Sequence, residues 1–206
     1  MSTRRGLIVC GLIAGLFAGC SASGPKSDTP PDLAQTVWAK RRAALAPQEA
    51  WTLDGRVAVQ RGSEGGQAHI HWVQKGAEFE LRIIAPLGQG TTVLRGSPSG
   101  VSLETPDRQH FAAPDLAALM TTHLRWNLPV AGARYWVLGL PVPSHPHTGL
   151  RLSPEGLMTD VAQDGWRISV ADYQTVAGTP LPRKLFLLGG DLELRMVISQ
   201  WLIAPH

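Results

Sequence analysis

Two pairs of histidines have a spacing that could support metal chemistry. His69 and His71 are two positions apart, so a strand would place both imidazoles on one face, as metal ligands sometimes are. His145 and His147 repeat the spacing in a Pro-rich segment. Because no Asp, Glu or Cys lies close in sequence to complete either set, we expect solvated histidines and no metal site.

Two glycine-containing segments could be mistaken for catalytic or cofactor motifs. Residues 96–100 read Gly-Ser-Pro-Ser-Gly, but a nucleophile elbow needs Ser at the centre, where Pro98 stands. Gly88 and Gly90 lack the third glycine and the following helix of a dinucleotide-binding loop. We therefore predict a protein that is not an enzyme and needs no cofactor, with an envelope hydrolase of unrecognised site as the alternative.

The N-terminal segment has the three parts of an export signal. Arg4 and Arg5 precede an uncharged, largely apolar run at residues 6–19, and small residues then precede Cys20. The run is shorter than the roughly 20 residues that a membrane-spanning helix needs. This arrangement is typical of a cleaved signal peptide.

The residues around Cys20 suggest a lipid anchor. Phe-Ala-Gly-Cys at positions 17–20 resembles the bacterial lipobox, which implies cleavage before Cys20 and acylation of its side chain and new N-terminus. We predict a signal peptide at residues 1–19, a lipidated N-terminus with a Ser- and Pro-rich tether at 20–31, and a single domain at 32–206.

Composition excludes several classes of protein. Hydrophobic residues make up 44% of the chain and charged residues only 17%, which excludes extensive disorder. The formal charge of +3 falls by two when Arg4 and Arg5 leave with the signal, so we expect no nucleic-acid partner. No cysteine follows Cys20, so the mature domain must be stabilised by packing.

Apolar and polar residues alternate along most of the domain, which predicts a mainly β fold. Strands are predicted near residues 51–60, 67–72, 79–83, 91–95, 101–104, 109–111, 149–152, 157–163, 166–170, 183–188 and 191–202. Helical spacing is predicted at residues 33–45, 114–124 and 131–138. The connections between strands are short, with a glycine-rich turn at 62–66, so we predict an antiparallel sheet.

Two or three modest helices have to cover one large curved sheet. A partly filled apolar concavity is therefore one expectation, and an ordinary filled core in a structural lipoprotein is the alternative. The mature chain contains seven tryptophans, a residue type that suits cores, apolar pockets and membrane interfaces alike.

One loop at residues 85–90 carries a conspicuous apolar residue. Leu87 lies between Pro86 and Gly88, which favour a turn that directs the intervening side chain outward. On a protein tethered beside a bilayer, this side chain could enter the lipid. Burying one Leu contributes about 1.5–3 kcal/mol, enough for contact with a membrane but not for anchoring.

These segments together resemble the LolB family of outer-membrane lipoprotein receptors. The matching pieces occur in order along the chain: residues 51–59 (Trp-Thr-Leu-Asp-Gly-Arg-Val-Ala-Val), Trp72, residues 86–88, 126–130, 135–139 and 163–166, Leu181-Pro182, and Trp201.

The resemblance implies a half-open antiparallel β-barrel of about ten or eleven strands, closed by two or three helices around an apolar cavity. It implies a monomer, lipid-anchored at Cys20 on the periplasmic side of the outer membrane. Such a protein receives lipoproteins from the periplasmic carrier LolA, holds their acyl chains and inserts them into the inner leaflet, with Pro86, Leu87 and Gly88 as the membrane-insertion loop. We expect the acyl chains to contact Trp51, Val57, Val59, Ile70, Trp72, Leu81, Ile83, Trp136, Trp166 and Ile168.

Overall fold

The structure is a computed structural model that describes residues 31–116, 118–119 and 129–203. Within these residues the chain forms eleven β-strands and two α-helices with described bounds, and residues 116 and 118–119 are also helical. The predicted lipidation site Cys20, the tether up to residue 30 and the predicted helix beyond Leu119 lie outside the described residues.

The helices and strands keep the order that the sequence pattern predicts. The α-helices are α1, Pro31–Leu45, and α2, Val130–Trp136, and a single 3-10 turn covers Pro86–Gly88. The strands β1 to β11 are Ala50–Arg61, Glu64–Lys75, Glu78–Ile84, Thr91–Ser97, Gly100–Glu104, His110–Ala113, His147–Leu152, Met158–Gln163, Trp166–Val176, Thr179–Gly189 and Leu192–Ile203.

All eleven described strands belong to one antiparallel sheet. Its order is β6-β5-β4-β3-β2-β1-β11-β10-β9-β8-β7, so two runs of hairpins are joined by pairing of the first strand with the last. The edge strands β6 and β7 do not pair with each other, so the sheet stays open. The predicted mainly β, half-open architecture is confirmed.

The β9–β10 hairpin is longer than its sequence suggests. The alternating pattern predicts that the second strand begins at Arg183, after the two prolines. Instead β10 begins at Thr179 and includes Pro180 and Pro182, with irregular register immediately after Pro182. A bulge is one of the places where a sheet tolerates proline.

Both described helices lie against the sheet. Trp38 and Leu45 of α1, and Val130, Ala133 and Trp136 of α2, join the buried apolar cluster. Among the described residues, no helix has the length and apolar character required to cross a membrane.

Arg41 fixes α1 to the rest of the domain. Its side chain is 8% exposed, and its guanidinium donates hydrogen bonds to the carbonyl oxygens of Leu138 (2.8 Å) and Pro180. The guanidinium carbon lies 5.5 Å from the ring centre of Tyr173, whose hydroxyl donates to the Met158 carbonyl at 2.7 Å. Burial lowers the pKa of Arg41. Burial raises the pKa of Tyr173, which keeps its hydroxyl protonated as the donor to Met158.

The domain has a continuous core of its own, so we expect an unlipidated chain beginning at Ser21, here called the soluble chain, to fold. A single cluster of buried side chains connects both helices with the sheet. The soluble chain should show a β-rich circular dichroism spectrum, a cooperative unfolding transition and the sedimentation of a monomer. Aggregation or non-cooperative unfolding would contradict a self-contained domain.

Candidate functional site

An apolar cavity of about 540 Å³ lies between the concave face of the sheet and the start of α2. The sheet contributes the apolar side chains Val57, Val59, Ala68, Ile70, Trp72, Leu81, Ile83, Leu187, Leu194 and Met196. Pro129, Val130 and Ala133 lie on the helix side, and the polar lining residues are Glu64, Gln67 and Thr92. The volume falls within the roughly 300–1,000 Å³ of pockets that bury small ligands. Among the described residues, this space does not fit a wholly filled core, the structural alternative.

The dimensions of the elements explain why this space is left open. The cavity wall is formed by six neighbouring strands, from β4 through β1 and β11 to β10. Six strands at a spacing of about 4.8 Å span roughly 24 Å. The seven residues of α2 extend only about 10 Å. By itself, α2 is too short to cover the whole apolar face that the alternating strands create.

The cavity lies in the half of the sheet that ends at the loop of residues 85–90, here called the Leu87 loop. Ile84 pairs with both His69 and Thr91, and Arg61 pairs with both Glu64 and Leu192. The last residues of β1, β3 and β10 therefore lie at the same end of the sheet as the first residues of β2, β4 and β11. Many of the lining residues lie close to this end, and Trp72 and Leu81 lie farther from it.

Six of the ten predicted acyl-chain contacts line the cavity. They are Val57, Val59, Ile70, Trp72, Leu81 and Ile83. Their positions follow from the period of two along β1, β2 and β3, which directs every second side chain to the concave face.

The other four predicted contacts lie in packed parts of the core and do not line the cavity. Trp51 lies between Trp72 and Trp201, with ring centroids at 5.1 and 5.5 Å. Trp51 lies at the end of β1 opposite the Leu87 loop, where these three indole rings fill the concave face. The alternating pattern identified the correct face of the strand but not which part of that face is open.

Trp166 and Ile168 lie on β9, next to the β10 edge of the cavity, and Trp136 lies at the end of α2. Trp136 is fully buried, donates a 3.0 Å hydrogen bond from Nε1 to Oε1 of Gln163, and lies 6.5 Å from the Trp166 ring. Ile168 is likewise fully buried. Here the C-terminal end of α2 and the residues after it cover the sheet, so no space remains.

Several lining residues were missing from the predicted set. Leu194 and Met196 alternate along β11, and Leu187 occupies the corresponding face of β10. The period of two was visible in both strands. The missing information was the pairing of β1 with β11, which brings these side chains beside Val57 and Val59.

The Leu87 loop holds its leucine outward in an unfavourable backbone conformation. Leu87 has φ 56° and ψ 29°, and its side chain is 95% exposed. The loop is closed by a hydrogen bond from the Ala85 amide to the Gly90 carbonyl at 3.0 Å. The left-handed conformation costs a non-glycine residue about 1–2 kcal/mol. Exposure and strain both oppose Leu here on stability grounds.

Replacing Leu87 with Gly should therefore stabilise the protein. Glycine adopts positive φ without steric cost, so we expect the free energy of unfolding to rise by about 1 kcal/mol in urea titrations of the soluble chain. Gln89 has a φ of −66°, and Gln89→Gly is the control, which should lower stability slightly. An unchanged or lower stability of Leu87→Gly would contradict strain at this position.

The histidines at 71 and 145 and the serines of the β4–β5 turn make local polar contacts. His71 Nδ1 lies 2.7 Å from Asp54 Oδ1, and His145 Nδ1 lies 2.9 Å from Asp164 Oδ2, in two separate, partly exposed pairs. Within the described part of the chain, no three His, Cys, Asp or Glu residues cluster as metal ligands would. Ser97 and Ser99 hydrogen-bond to each other at 2.8 Å in the turn between β4 and β5.

Comparison with known proteins identifies the family. A family model described as outer membrane lipoprotein LolB matches residues 49–201. An outer-membrane lipoprotein LolB of Nitrosococcus oceani is 37% identical over 198 residues, covering 96% of both chains. One from Stutzerimonas stutzeri is 33% identical over 189 residues, covering 92% of this chain and 91% of the relative.

A solved structure shares the fold. A LolA superfamily protein from Nitrosomonas europaea superposes with a TM-score of 0.52 and 8% identity, covering 84% of this chain and 94% of that one. This similarity concerns the fold alone. The family match over most of the chain, together with relatives above 30% identity along nearly its whole length, shows that the chain belongs to the LolB family of outer-membrane lipoproteins.

Proposed function

We propose that this protein receives acylated lipoproteins from the periplasmic carrier LolA, holds their acyl chains in the cavity and inserts them into the inner leaflet of the outer membrane. Family membership supports a role in lipoprotein localisation at the outer membrane. The observation that carries the finer proposal is the shared position of two features. The apolar cavity and the exposed Leu87 lie at the same end of the sheet.

The proposed anchor is the acylated Cys20, formed after removal of residues 1–19. The tether at 20–31 then joins the membrane to a monomeric domain at 32–206 that faces the periplasm. Several acyl chains hold a protein durably at a bilayer, whereas a single chain holds it only marginally.

The cavity provides what an acyl chain requires in the periplasm. Each acyl methylene exposed to water costs about 0.8 kcal/mol. A lipoprotein with long acyl chains would therefore aggregate when free in water, and without a receptor it would stay on its carrier. A passenger can move from carrier to receptor to membrane without nucleotide hydrolysis if each acceptor binds it more tightly. A tenfold preference corresponds to about 1.4 kcal/mol.

The six lining residues from the predicted set are the proposed acyl-chain contacts. Ile70, Leu81 and Ile83 form one side of the wall, and Val57 and Val59 lie beside them on β1. Trp72 closes the deeper end and is only 2% exposed. Trp51, Trp136, Trp166 and Ile168 are not among these contacts, because they pack in the apolar core outside the cavity.

The Leu87 loop, with Pro86 and Gly88 on either side, is the proposed membrane contact. Leu87 entering lipid contributes about 1.5–3 kcal/mol. This is small enough to be reversible, and it places the loop end of the cavity against the bilayer.

A transfer assay tests the proposed function. LolA loaded with a triacylated lipoprotein is mixed with the soluble chain, and the passenger is then followed into phospholipid vesicles. We expect the passenger to move to the soluble chain and then to sediment with the vesicles. A passenger that stays on LolA, or that forms no complex with the soluble chain, would contradict the proposal.

A further inference from the structure

The inward-facing side chains of β2 become smaller toward the Leu87 end of the sheet. Every second side chain of this part of β2 faces the cavity. Toward the Leu87 loop, these residues are Trp72, Ile70, Ala68 and Gly66. Trp72 and Ile70 are buried, whereas Gly66 is exposed. The cavity is therefore narrowest beside Trp72 and widens along β2 toward Gly66.

Neither the backbone conformation nor tight packing requires a glycine at position 66. A Cβ atom built at Gly66 would have no heavy atom within 4 Å, and its φ lies outside the left-handed region. At the adjacent Gly65, by contrast, a Cβ would meet the side-chain oxygen of Gln60 and would lie 3.0 Å from the Val59 carbonyl oxygen. Neighbouring atoms crowd a side chain at Gly65, whereas at Gly66 the missing side chain leaves open space.

The sheet also has a notch beside these small residues. The pairing of β2 with β3 ends at His69 opposite Ile84, and among the described strands residues 64–68 of β2 pair only with β1. The chain leaves β3 at this point to form the Leu87 loop. On the far side of the notch, Ile83 and Thr92 line the cavity.

We infer that the acyl chain enters and leaves the cavity through this notch, and that Gly66 sets the width of the opening. The methyl end of the chain points toward Trp72, and the polar end of the passenger stays at the rim beside Glu64 and Gln67. This inference rests on the proposed function and adds to it the route and the residue that controls it. The notch adjoins the Leu87 loop, so an acyl chain leaves the protein where the loop meets lipid.

A substitution that narrows the opening tests the route. The soluble chain and its Gly66→Leu variant are titrated with a fluorescent fatty acid, and saturated fatty acids of increasing length then compete with the probe. Each methylene that can no longer be buried lowers affinity about fourfold. We expect Gly66→Leu to bind about tenfold more weakly and to stop gaining affinity at a shorter chain length than the unsubstituted protein.

The control is Ala58→Leu, which adds three of the same four carbon atoms to an exposed residue on the opposite face of the same hairpin. It should bind as the unsubstituted chain does. Unchanged affinity and length dependence in Gly66→Leu would overturn the inference while leaving the proposed function standing. If the unsubstituted chain binds no fatty acid, the proposed function fails and this inference fails with it.

A labelling experiment tests the route without altering the width of the opening. The soluble chain contains no cysteine, so Glu64→Cys at the rim and Ala77→Cys in the exposed turn at the opposite end each introduce one thiol. A fatty acid with a thiol-reactive group at its carboxyl end should label Glu64→Cys at least tenfold faster, and excess palmitate should suppress the difference. Equal rates at the two positions, or no protection by palmitate, would overturn the inference.

Discussion

Glu in place of Leu87 should leave acyl-chain binding intact and reduce delivery to vesicles by about 10- to 100-fold. The side chain is 95% exposed and does not line the cavity, so neither fold nor cavity depends on it. Insertion of Leu into lipid contributes about 1.5–3 kcal/mol, which corresponds to this range of affinity, and a carboxylate is excluded from lipid. Fluorescent fatty-acid titration measures the first effect, and vesicle flotation of a labelled passenger measures the second.

Two controls separate insertion of the leucine from a general effect of charge. Gln89→Glu adds the same charge to an exposed residue of the same loop and should retain most of the delivery. Leu87→Phe keeps an apolar side chain and should also deliver. Normal delivery by Leu87→Glu, or an equal loss in Gln89→Glu, would show that the side chain of Leu87 does not enter the membrane.

Phe in place of Val57 should stabilise the fold while weakening acyl-chain binding. Val57 is half-buried, and its β-sheet partners Ala68 and Met196 also line the cavity. Filling an empty apolar space commonly raises stability by about 0.5–2 kcal/mol. The added ring excludes about three methylenes of ligand, so we expect affinity for a fatty acid to fall about 50-fold. Urea unfolding and fluorescent titration measure the two effects.

The opposite signs of these effects distinguish a ligand cavity from a packing defect. Ala58→Phe places the same ring on the outward face at the next residue and should change neither quantity substantially. Full binding by Val57→Phe would mean that the acyl chain does not occupy this part of the cavity. A loss of both stability and binding would mean that the cavity cannot accept a ring without distortion.

Much of the sheet could be predicted from local patterns. Alternation along β11 gives Leu192, Leu194, Met196 and Ile198 a common face, and the structure buries all four. The two-residue turn formed by Asp164 and Gly165 has positive φ at both positions, as a type I′ hairpin requires. These features depend on neighbouring residues, so the sequence displays them directly.

The sheet order depends on contacts that no local pattern contains. Pairing of β1 with β11 joins the two ends of the domain, and Trp51 faces Ile203 across this central pair. Alternation tells which face a side chain takes but not which strand lies beside it. The same gap explains why Leu187 and Leu194 were missing from the predicted cavity wall.

The sequence pattern also does not predict which part of the concave face is open. Trp72 and Trp136 were equally good candidates, since both occupy buried positions. The structure separates them because Trp72, on β2, lines the deeper end of the cavity, whereas Trp136 is enclosed and hydrogen-bonded to Gln163. Only the lengths and positions of the covering elements decide where a space remains.

Photocrosslinking from the acyl chain tests the central claim most directly. A lipoprotein carrying a photoreactive group in one acyl chain is bound to the soluble chain and irradiated, and the crosslinked peptides are identified by mass spectrometry. The account predicts crosslinks on the cavity wall, at residues such as Val57, Ile70 and Leu194. Crosslinks confined to outward-facing residues such as Arg56 and Val197, with none in the cavity, would contradict it.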